Sequence, residues 1–224
     1  MKRIAGLSLI VILALCISVS AQSAFTLDQV FARMDVVAKT FSSIESTIEQ
    51  DLVTVIVNDH NESSGKFYYL RKGKTPRVKM ERSKPAPEFV LIDNGKLQHY
   101  VPATNQLQEF SLAGRQDAVE TFLAIGFGQS SDDIKKSFDV TPAPDETIDG
   151  RKVSVLDLKP KKPGNIRSVR MWMDQQRWVS VRIKVVQSSN DYVVINYKDI
   201  KLNGGIGDSR FKLDLPKNVR IVKG

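Results

Sequence analysis

The sequence predicts an α+β fold in which about three helices cover a curved antiparallel sheet of about eleven strands. Apolar and polar residues alternate with a period of two over most of the chain after residue 45. Turn sequences such as Asn94-Gly95 and Asp149-Gly150 separate these runs. Because such short links cannot cross over a sheet, they favour antiparallel neighbours.

The N-terminus has the pattern of a secretory signal peptide. Lys2-Arg3 gives a basic start, residues 4–19 are nearly all apolar, and Val19-Ser20-Ala21 supplies the small residues that a signal peptidase requires. The alternative is a membrane anchor, but an apolar run of about 16 residues is short for a span. We therefore expect residues 1–21 to be a cleaved signal peptide and residues 22–224 to form a single domain exported to the periplasm.

Cys16 is the one cysteine of the chain, and its position near the signal sequence raises the question of lipidation. Leu15 precedes it, whereas a lipoprotein peptidase requires a small residue at that position. Cleavage after Ala21 would leave a chain without cysteine. Such a chain gains nothing from disulfides and has to be stabilised by burial of its core.

The charge balance of the chain is mildly basic. Without Lys2 and Arg3, 31 basic side chains stand against 25 acidic ones, a net charge of +6. Solubility accounts for this excess, and weak attraction to anionic membranes or acidic partners is the functional alternative. Nucleic acid is not expected as a partner, because the chain carries no recognised nucleic-acid-binding motif.

The segment after the signal sequence predicts an amphipathic helix. Thr26 and Gln29 have the spacing of a capping box. Apolar residues then recur at intervals of three and four, which places them on one helical face: Leu27, Val30, Phe31, Met34, Val37, Phe41 and Ile44. Such a face indicates either plain core or part of a ligand surface.

The rest of the chain reads as strands with one helical interruption. We predict strands near 45–57, 66–72, 77–82, 88–93, 96–101, 106–112, 139–147, 151–159, 166–174, 178–187 and 192–202, and a short piece at 219–223. Helices are predicted from Asp117 to Ile125 and from Ser131 to Phe138. A wide curved sheet under few helices is compatible with an apolar cavity, and equally with a tightly filled core.

Four segments resemble the LolA-type periplasmic lipoprotein carriers. They are the strand Gly65–Arg71 that ends in arginine, the hairpin Asp93–Pro102, the Leu-x-Pro-Lys sequence of Leu158–Lys161, and the C-terminal Phe211–Ile221. Their order and spacing fit over essentially the whole chain after the signal sequence. The chain departs from the family pattern at two points: Arg71 is followed by Lys72 rather than proline, and Gln98 stands where a hairpin tryptophan is common.

The resemblance implies a function as well as a fold. It implies an unclosed β-barrel covered by helices, with an apolar cavity that shields lipoprotein acyl chains between the inner and outer membranes. It also implies an ATP-driven inner-membrane complex (a lipoprotein-releasing ABC transporter) that loads the carrier and an outer-membrane lipoprotein receptor that unloads it. We expect a monomer without a cofactor. Alternatives on the same fold are a periplasmic sensor or regulator of envelope lipoproteins and a carrier of free glycolipid.

Spacing and family position together predict the residues of the site. In the family, the arginine helps to hold the helical lid closed, so Arg71 is the candidate latch. The predicted lining comes from the first helix, the early strands and the second helix: Phe31, Met34, Phe67, Tyr69, Val78, Met80, Val90, Ile92, Val119, Phe122 and Leu123.

The sequence carries little that indicates catalysis. His60, in a predicted polar loop, and His99, at a strand position, lack metal-ligand spacing. Gly126-Phe127-Gly128 lacks the strand before it and the lysine after it that a phosphate loop requires. Asp132-Asp133 fits the start of a helix, near the positive end of the helix dipole. We therefore expect a binding protein rather than an enzyme, with no bound metal.

Overall fold

The computed structural model of the protein describes residues 25–72, 75–113 and 126–224. The predicted signal peptide and the predicted helix at 117–125 lie outside these ranges. Within them are two α-helices, α1 (Leu27–Thr40) and α2 (Ser131–Ser137). No helix of the described ranges is long and apolar enough to cross a membrane.

Twelve strands form one curved, unclosed sheet, which confirms the predicted α+β class. They are β1 (Ser43–Thr54), β2 (Asp59–Lys72), β3 (Thr75–Lys84), β4 (Glu88–Asp93), β5 (Lys96–Val101), β6 (Gln106–Ser111), β7 (Phe138–Ile148), β8 (Arg151–Pro160), β9 (Ile166–Asp174), β10 (Ser180–Gln187), β11 (Tyr192–Leu202) and β12 (Arg220–Lys223). Their spatial order is β12-β6-β5-β4-β3-β2-β1-β11-β10-β9-β8-β7.

The sheet consists of two antiparallel meanders joined through the pairing of β1 with β11. One pairing departs from the predicted antiparallel pattern, because β12 lies parallel to β6. The last strand can run in this direction since the segment from residue 203 to residue 219 first crosses the sheet surface. The strand count of twelve includes this short final piece.

Two strand boundaries differ from the prediction for a physical reason. Residues 55–57, predicted as the end of the first strand, form a 3-10 turn, and β2 begins at Asp59 rather than near residue 66. The polar residues after Asn58 suggested a loop, but their backbone pairs with β1 from Thr54 back to Ser43. His60 therefore lies in a strand, where its Nδ1 is 2.9 Å from the Asp51 carboxylate.

Helix α1 follows the predicted pattern up to Thr40, but Phe41 and Ile44, predicted on the same helical face, lie beyond its end, with Ile44 in β1. The capping box is present: the Gln29 amide nitrogen donates to Thr26 Oγ1 at 3.3 Å, and the Thr26 amide nitrogen donates to Gln29 Oε1 at 2.9 Å. Its apolar stripe faces the sheet, with Val30, Phe31 and Met34 buried. The helix thus covers part of the sheet face that we call the inner face, which carries Ile44, Phe67, Tyr69, Val78 and Ile92.

The opposite, outer face is covered in part by the C-terminal segment. Phe211 is buried there against Tyr68 and Leu91. The Arg77 guanidinium lies over the Phe211 ring, and it donates to the carboxylates of Asp93 at 2.9 Å and Asp208 at 2.8 Å. This cluster holds the C-terminal segment to β2–β4 and guides β12 to the sheet edge.

The strand after Trp178 has one dry face, as predicted, because Val179, Val181, Ile183 and Val185 are buried. Ser180 was expected on the solvent face but is fully buried. Its amide nitrogen donates to the Gly126 carbonyl at 2.9 Å, so the chain before α2 lies directly on the start of β10.

Candidate functional site

The strand register brings the predicted lining residues onto the inner face. Residues directly opposite each other in an antiparallel pair share a face. One row runs Phe67–Met80–Val90–His99 across β2 to β5. The next row runs Tyr69–Val78–Ile92–Leu97–Phe110 across β2 to β6.

The packing of this face loosens from β2 towards β6. Phe67, Tyr69, Val78 and Ile92 are buried in one apolar cluster with Phe31 and Met34 of α1. Met80 packs against that cluster and is half-buried, as is Val90. Phe110, at the far end of the second row, is 41% exposed. The inner face therefore combines a packed part under α1 with partly exposed apolar surface on β3–β6.

Three of the predicted lining residues, Val119, Phe122 and Leu123, lie outside the described residues. The other eight all lie on α1 or on the inner face. Two clefts bounded by described residues include none of them. The larger cleft, about 470 Å³, is lined by polar groups in the half of the β1–β2 hairpin nearer its turn, including Glu49, Asp51 and Glu62.

Arg71 lies at the junction of three segments. Its Nη1 donates to the carbonyl oxygens of Ala38, at 3.0 Å, and Phe41, at 3.4 Å, and its Nη2 donates to the Gly128 carbonyl. The guanidinium also lies 5.3 Å from the centre of the Phe41 ring. The last carbonyls of a helix lack partners within the helix and carry the negative end of its dipole, so a cation is favourable there. We call Arg71 and these three acceptor residues the latch cluster.

Gly126-Phe127-Gly128, which does not fit a phosphate loop, has a packing function in the structure. Phe127 is 1% exposed, and its ring lies edge-on to Tyr197 at 4.7 Å and 6.1 Å from Phe67. Burial in this apolar setting raises the pKa of the Tyr197 hydroxyl. Phe127 thus anchors the chain before α2 to the inner face, and the sequence gives no period from which this could be read.

A direct contact joins the two helices, α1 and α2. The Asp35 carboxylate of α1 accepts from the Ser131 amide nitrogen at 2.6 Å and from Ser131 Oγ at 2.8 Å. Ser130 caps α2 by accepting from the Asp133 amide nitrogen. Hydrogen bonds from Lys136 and then Ser130 hold the pKa of the Asp133 carboxyl below its usual range. The helix start predicted at Asp132-Asp133 is therefore present, while the contact with Asp35 was not expected.

Gly128 allows the latch cluster to close, which yields a direct prediction. It has a φ of +67°, and a Cβ there would lie 2.2 Å from the Phe41 ring. We expect Gly128→Ala to lower the free energy of unfolding by about 1–2 kcal/mol through backbone strain and by about 1–3 kcal/mol more through the clash. Chemical denaturation measures both effects.

Gly150 provides the matched control. Its φ is +75°, but a Cβ there would meet nothing within 4 Å. The free energy of unfolding of Gly150→Ala should therefore fall only by the contribution from backbone strain, about 1–2 kcal/mol. Equal losses for the two variants would contradict the close contact between Gly128 and Phe41.

The described residues offer no arrangement suited to metal binding. Within these ranges no three His, Cys, Asp or Glu residues come together to hold a metal ion. His99 Nε2 lies 3.1 Å from Glu88 Oε2, which also accepts from Arg82 at 2.9 Å. This polar group lies beside Val90, at one end of the first row of the inner face.

Comparison with known proteins bears on the function. The profile of the family described as "Outer membrane lipoprotein carrier protein LolA" matches residues 39–214. An outer-membrane lipoprotein carrier protein of Chromohalobacter salexigens is 22% identical over 192 residues, covering 85% of each chain. An uncharacterized protein of Methanocaldococcus jannaschii is 23% identical over 196 residues. That match covers 87% of this chain but only 53% of the archaeal protein, so the chain spans about half of that relative's length.

Solved structures share the fold at low identity. An uncharacterized conserved protein from Thermus thermophilus superposes with a TM-score of 0.55 at 11% identity, covering 88% of this chain and 98% of that one. MucB superposes with a TM-score of 0.51 at 10% identity, covering 83% of this chain and 62% of MucB. At these identities the similarity concerns the fold alone.

Proposed function

Because this chain belongs to the LolA family of outer-membrane lipoprotein carriers, we propose that it shields the acyl chains of lipoproteins and moves them through the periplasm from the inner to the outer membrane. The observation that carries the proposal is the inner face. There, two rows of apolar side chains lie under and beside α1, one from β2 to β4 and the other from β2 to β6. Such a surface can replace the membrane around an acyl chain.

The energetics explain why a carrier is needed. Burying an acyl chain is worth about 0.8 kcal/mol per methylene, so a multiply acylated protein does not leave a membrane for water unaided. The half-buried Met80 and Val90, together with the exposed Phe110, supply apolar contact at modest cost to the packed cluster. An acyl chain laid along β3–β6 would bury these side chains further.

The latch cluster provides a means to regulate access. Arg71 ties the C-terminal end of α1 to the chain before α2, and Asp35 ties α1 to α2 itself. Lifting α1 from the inner face would break the hydrogen bonds of Arg71. In the proposed cycle the closed, empty carrier is favoured by these bonds, so that cargo is released to an acceptor.

The rest of the proposal follows the family. Residues 1–21 are removed on export, and residues 22–224 act as one monomeric domain. An inner-membrane ABC complex loads the carrier and an outer-membrane receptor unloads it. The carrier performs no chemistry of its own and requires no cofactor.

Native mass spectrometry and lipid extraction of the protein purified from the periplasm test this proposal. We expect a fraction of the protein to carry an acylated polypeptide. Free glycolipid in its place would favour the glycolipid carrier, and an unacylated envelope protein would favour the sensor. Protein that is wholly free of acyl chains, even after overexpression of a lipoprotein, would contradict the proposal.

A further inference from the structure

The hairpin between β1 and β2 exposes a set of aliphatic side chains. The 3-10 turn at its end, Val55–Val57, presents Val55 at 48%, Ile56 at 93% and Val57 at 67% exposure. Leu52, just before the turn, is 42% exposed. We call these four residues the aliphatic tip. Singly exposed aliphatic residues are ordinary on protein surfaces, whereas three in succession at a protruding turn mark a contact surface.

Hydrogen bonds within the turn and to a neighbouring loop fix the conformation of the tip. The Asn58 amide nitrogen donates to the Val55 carbonyl at 3.2 Å, with Asn58 in the left-handed conformation. The Val55 amide nitrogen donates to Asp191 Oδ1 at 2.9 Å, which ties the turn to the β10–β11 connection. Below the turn, Thr54 pairs with Asp59. The turn is therefore a closed, hydrogen-bonded structure that presents its side chains to solvent.

A basic segment lies at the same end of the sheet. The β10–β11 connection that binds Val55 is bonded in turn to the β8–β9 connection, through Ser188 to the carbonyls of Asn165 and Gly164. The β8–β9 segment carries four exposed basic side chains: Lys159, Lys161, Lys162 and Arg167. Aliphatic and cationic groups thus lie on adjoining loops that can meet one flat surface.

Acidic groups near the tip equal these basic ones in number, but they lie on the β1–β2 hairpin and the β10–β11 connection rather than on the β8–β9 segment. Asp51 is paired with His60, and Asp191 accepts from the Val55 amide nitrogen. Asp59 and Glu62 are exposed on β2. Contact with an anionic surface would therefore be led by the aliphatic side chains and strengthened by the β8–β9 lysines.

We propose that the aliphatic tip inserts into the interfacial layer of a lipid bilayer containing anionic lipids, with the β8–β9 basic segment on the headgroups. The four side chains of the tip line neither of the two clefts, so they offer no shaped pocket to a partner. A bilayer interface accepts them without shape complementarity and adds electrostatic attraction to the basic groups.

The position of the tip relates the proposed membrane contact to the inner face. Leu52 lies opposite Val193 on β11 and is in line with the inner-face residues Ile44 and Ile48 of β1. Inserting the tip would bring this end of the inner face to the bilayer. The inference depends only on the tip and its neighbouring loops. A negative result would therefore not contradict the proposed acyl-chain site on the inner face.

Flotation of the full-length processed protein with protein-free vesicles of phosphatidylethanolamine and phosphatidylglycerol tests the inference. We expect wild type to float with the vesicles and Ile56→Asp to bind at least about tenfold less, because a carboxylate resists entry into the interface. Val36→Asp is the matched control, since Val36 is 63% exposed on α1, away from the tip. Both variants should unfold at the wild-type temperature and take up a fluorescent acyl probe from solution as wild type does.

A second variant separates the two parts of the surface. Lys161→Gln combined with Lys162→Gln should weaken binding to these vesicles but not to vesicles of phosphatidylcholine alone. Wild type that remains in solution would overturn the inference and leave a protein partner for the tip. Equal flotation of Ile56→Asp and wild type, or an equal loss in Val36→Asp, would overturn it as well.

Discussion

Replacing Arg71 by leucine is expected to slow delivery of an acylated cargo to acceptor membranes by tens of fold. The substitution removes the hydrogen bonds to Ala38, Phe41 and Gly128 that hold α1 against the chain before α2. The closed, empty state is then destabilised relative to the open, loaded state. A difference of about 1–3 kcal/mol between the two states is sufficient for this change in rate.

The comparison requires variants that separate charge from geometry. Arg151→Leu removes an exposed arginine from the start of β8 and should leave delivery unchanged. Arg71→Lys keeps the charge but lacks the fork that reaches several carbonyls, so its rate should lie between wild type and Arg71→Leu. Equal release rates from equally loaded and equally folded Arg71→Leu and wild type would make Arg71 an ordinary strand-end residue.

A carboxylate at position 90 is expected to reduce acyl-chain binding at least about tenfold with little loss of stability. Val90 is half-buried on the inner face, opposite Met80 and His99. A charged side chain there can stay hydrated in the empty protein but would have to be buried beneath an acyl chain. Binding of a fluorescent acyl probe and thermal unfolding of Val90→Glu measure the two effects.

Two further variants define the limits of this test. Phe89→Glu places the same charge on the outer face of the same strand, where Phe89 stacks on Tyr100, and should not affect probe binding. Phe67→Glu buries a charge at a position that is 4% exposed and should unfold the protein. Equal loss of binding in Val90→Glu and Phe89→Glu would contradict an inner-face site. The same two measurements on Phe122→Glu test a predicted lining residue outside the described ranges. If Phe122 lines the site, probe binding should fall with little loss of stability.

Local patterns determined which parts of the fold could be predicted. The capping box of Thr26 and Gln29, the stripe of α1 and the turn at Asn94-Gly95 depend on residues a few positions apart, and each is present. Spacing and family position together also predicted Phe67, Tyr69, Val78 and Ile92 as one lining, and all four lie on the inner face. These features are encoded within single elements, so the sequence alone identifies them.

Long-range contacts determined the rest. The parallel pairing of β12 with β6 depends on the path of the C-terminal segment, which is held by Arg77 and Phe211. The bond between Asp35 and Ser131 joins residues that lie 96 positions apart. The burial of Phe127 depends on two glycines that permit close approach. The spacing of apolar residues along the sequence predicts neither such contacts nor how tightly the inner face is packed.

We propose that the inner face recognises acyl chains. A comparison of acylated and unacylated cargo tests this recognition. A lipoprotein with its acyl chains and the same polypeptide without them are each mixed with the purified protein, and the products are separated by size-exclusion chromatography. We expect a soluble complex with the acylated form only, and loss of that complex in Val90→Glu. Equal binding of both forms, or binding of neither, would contradict it.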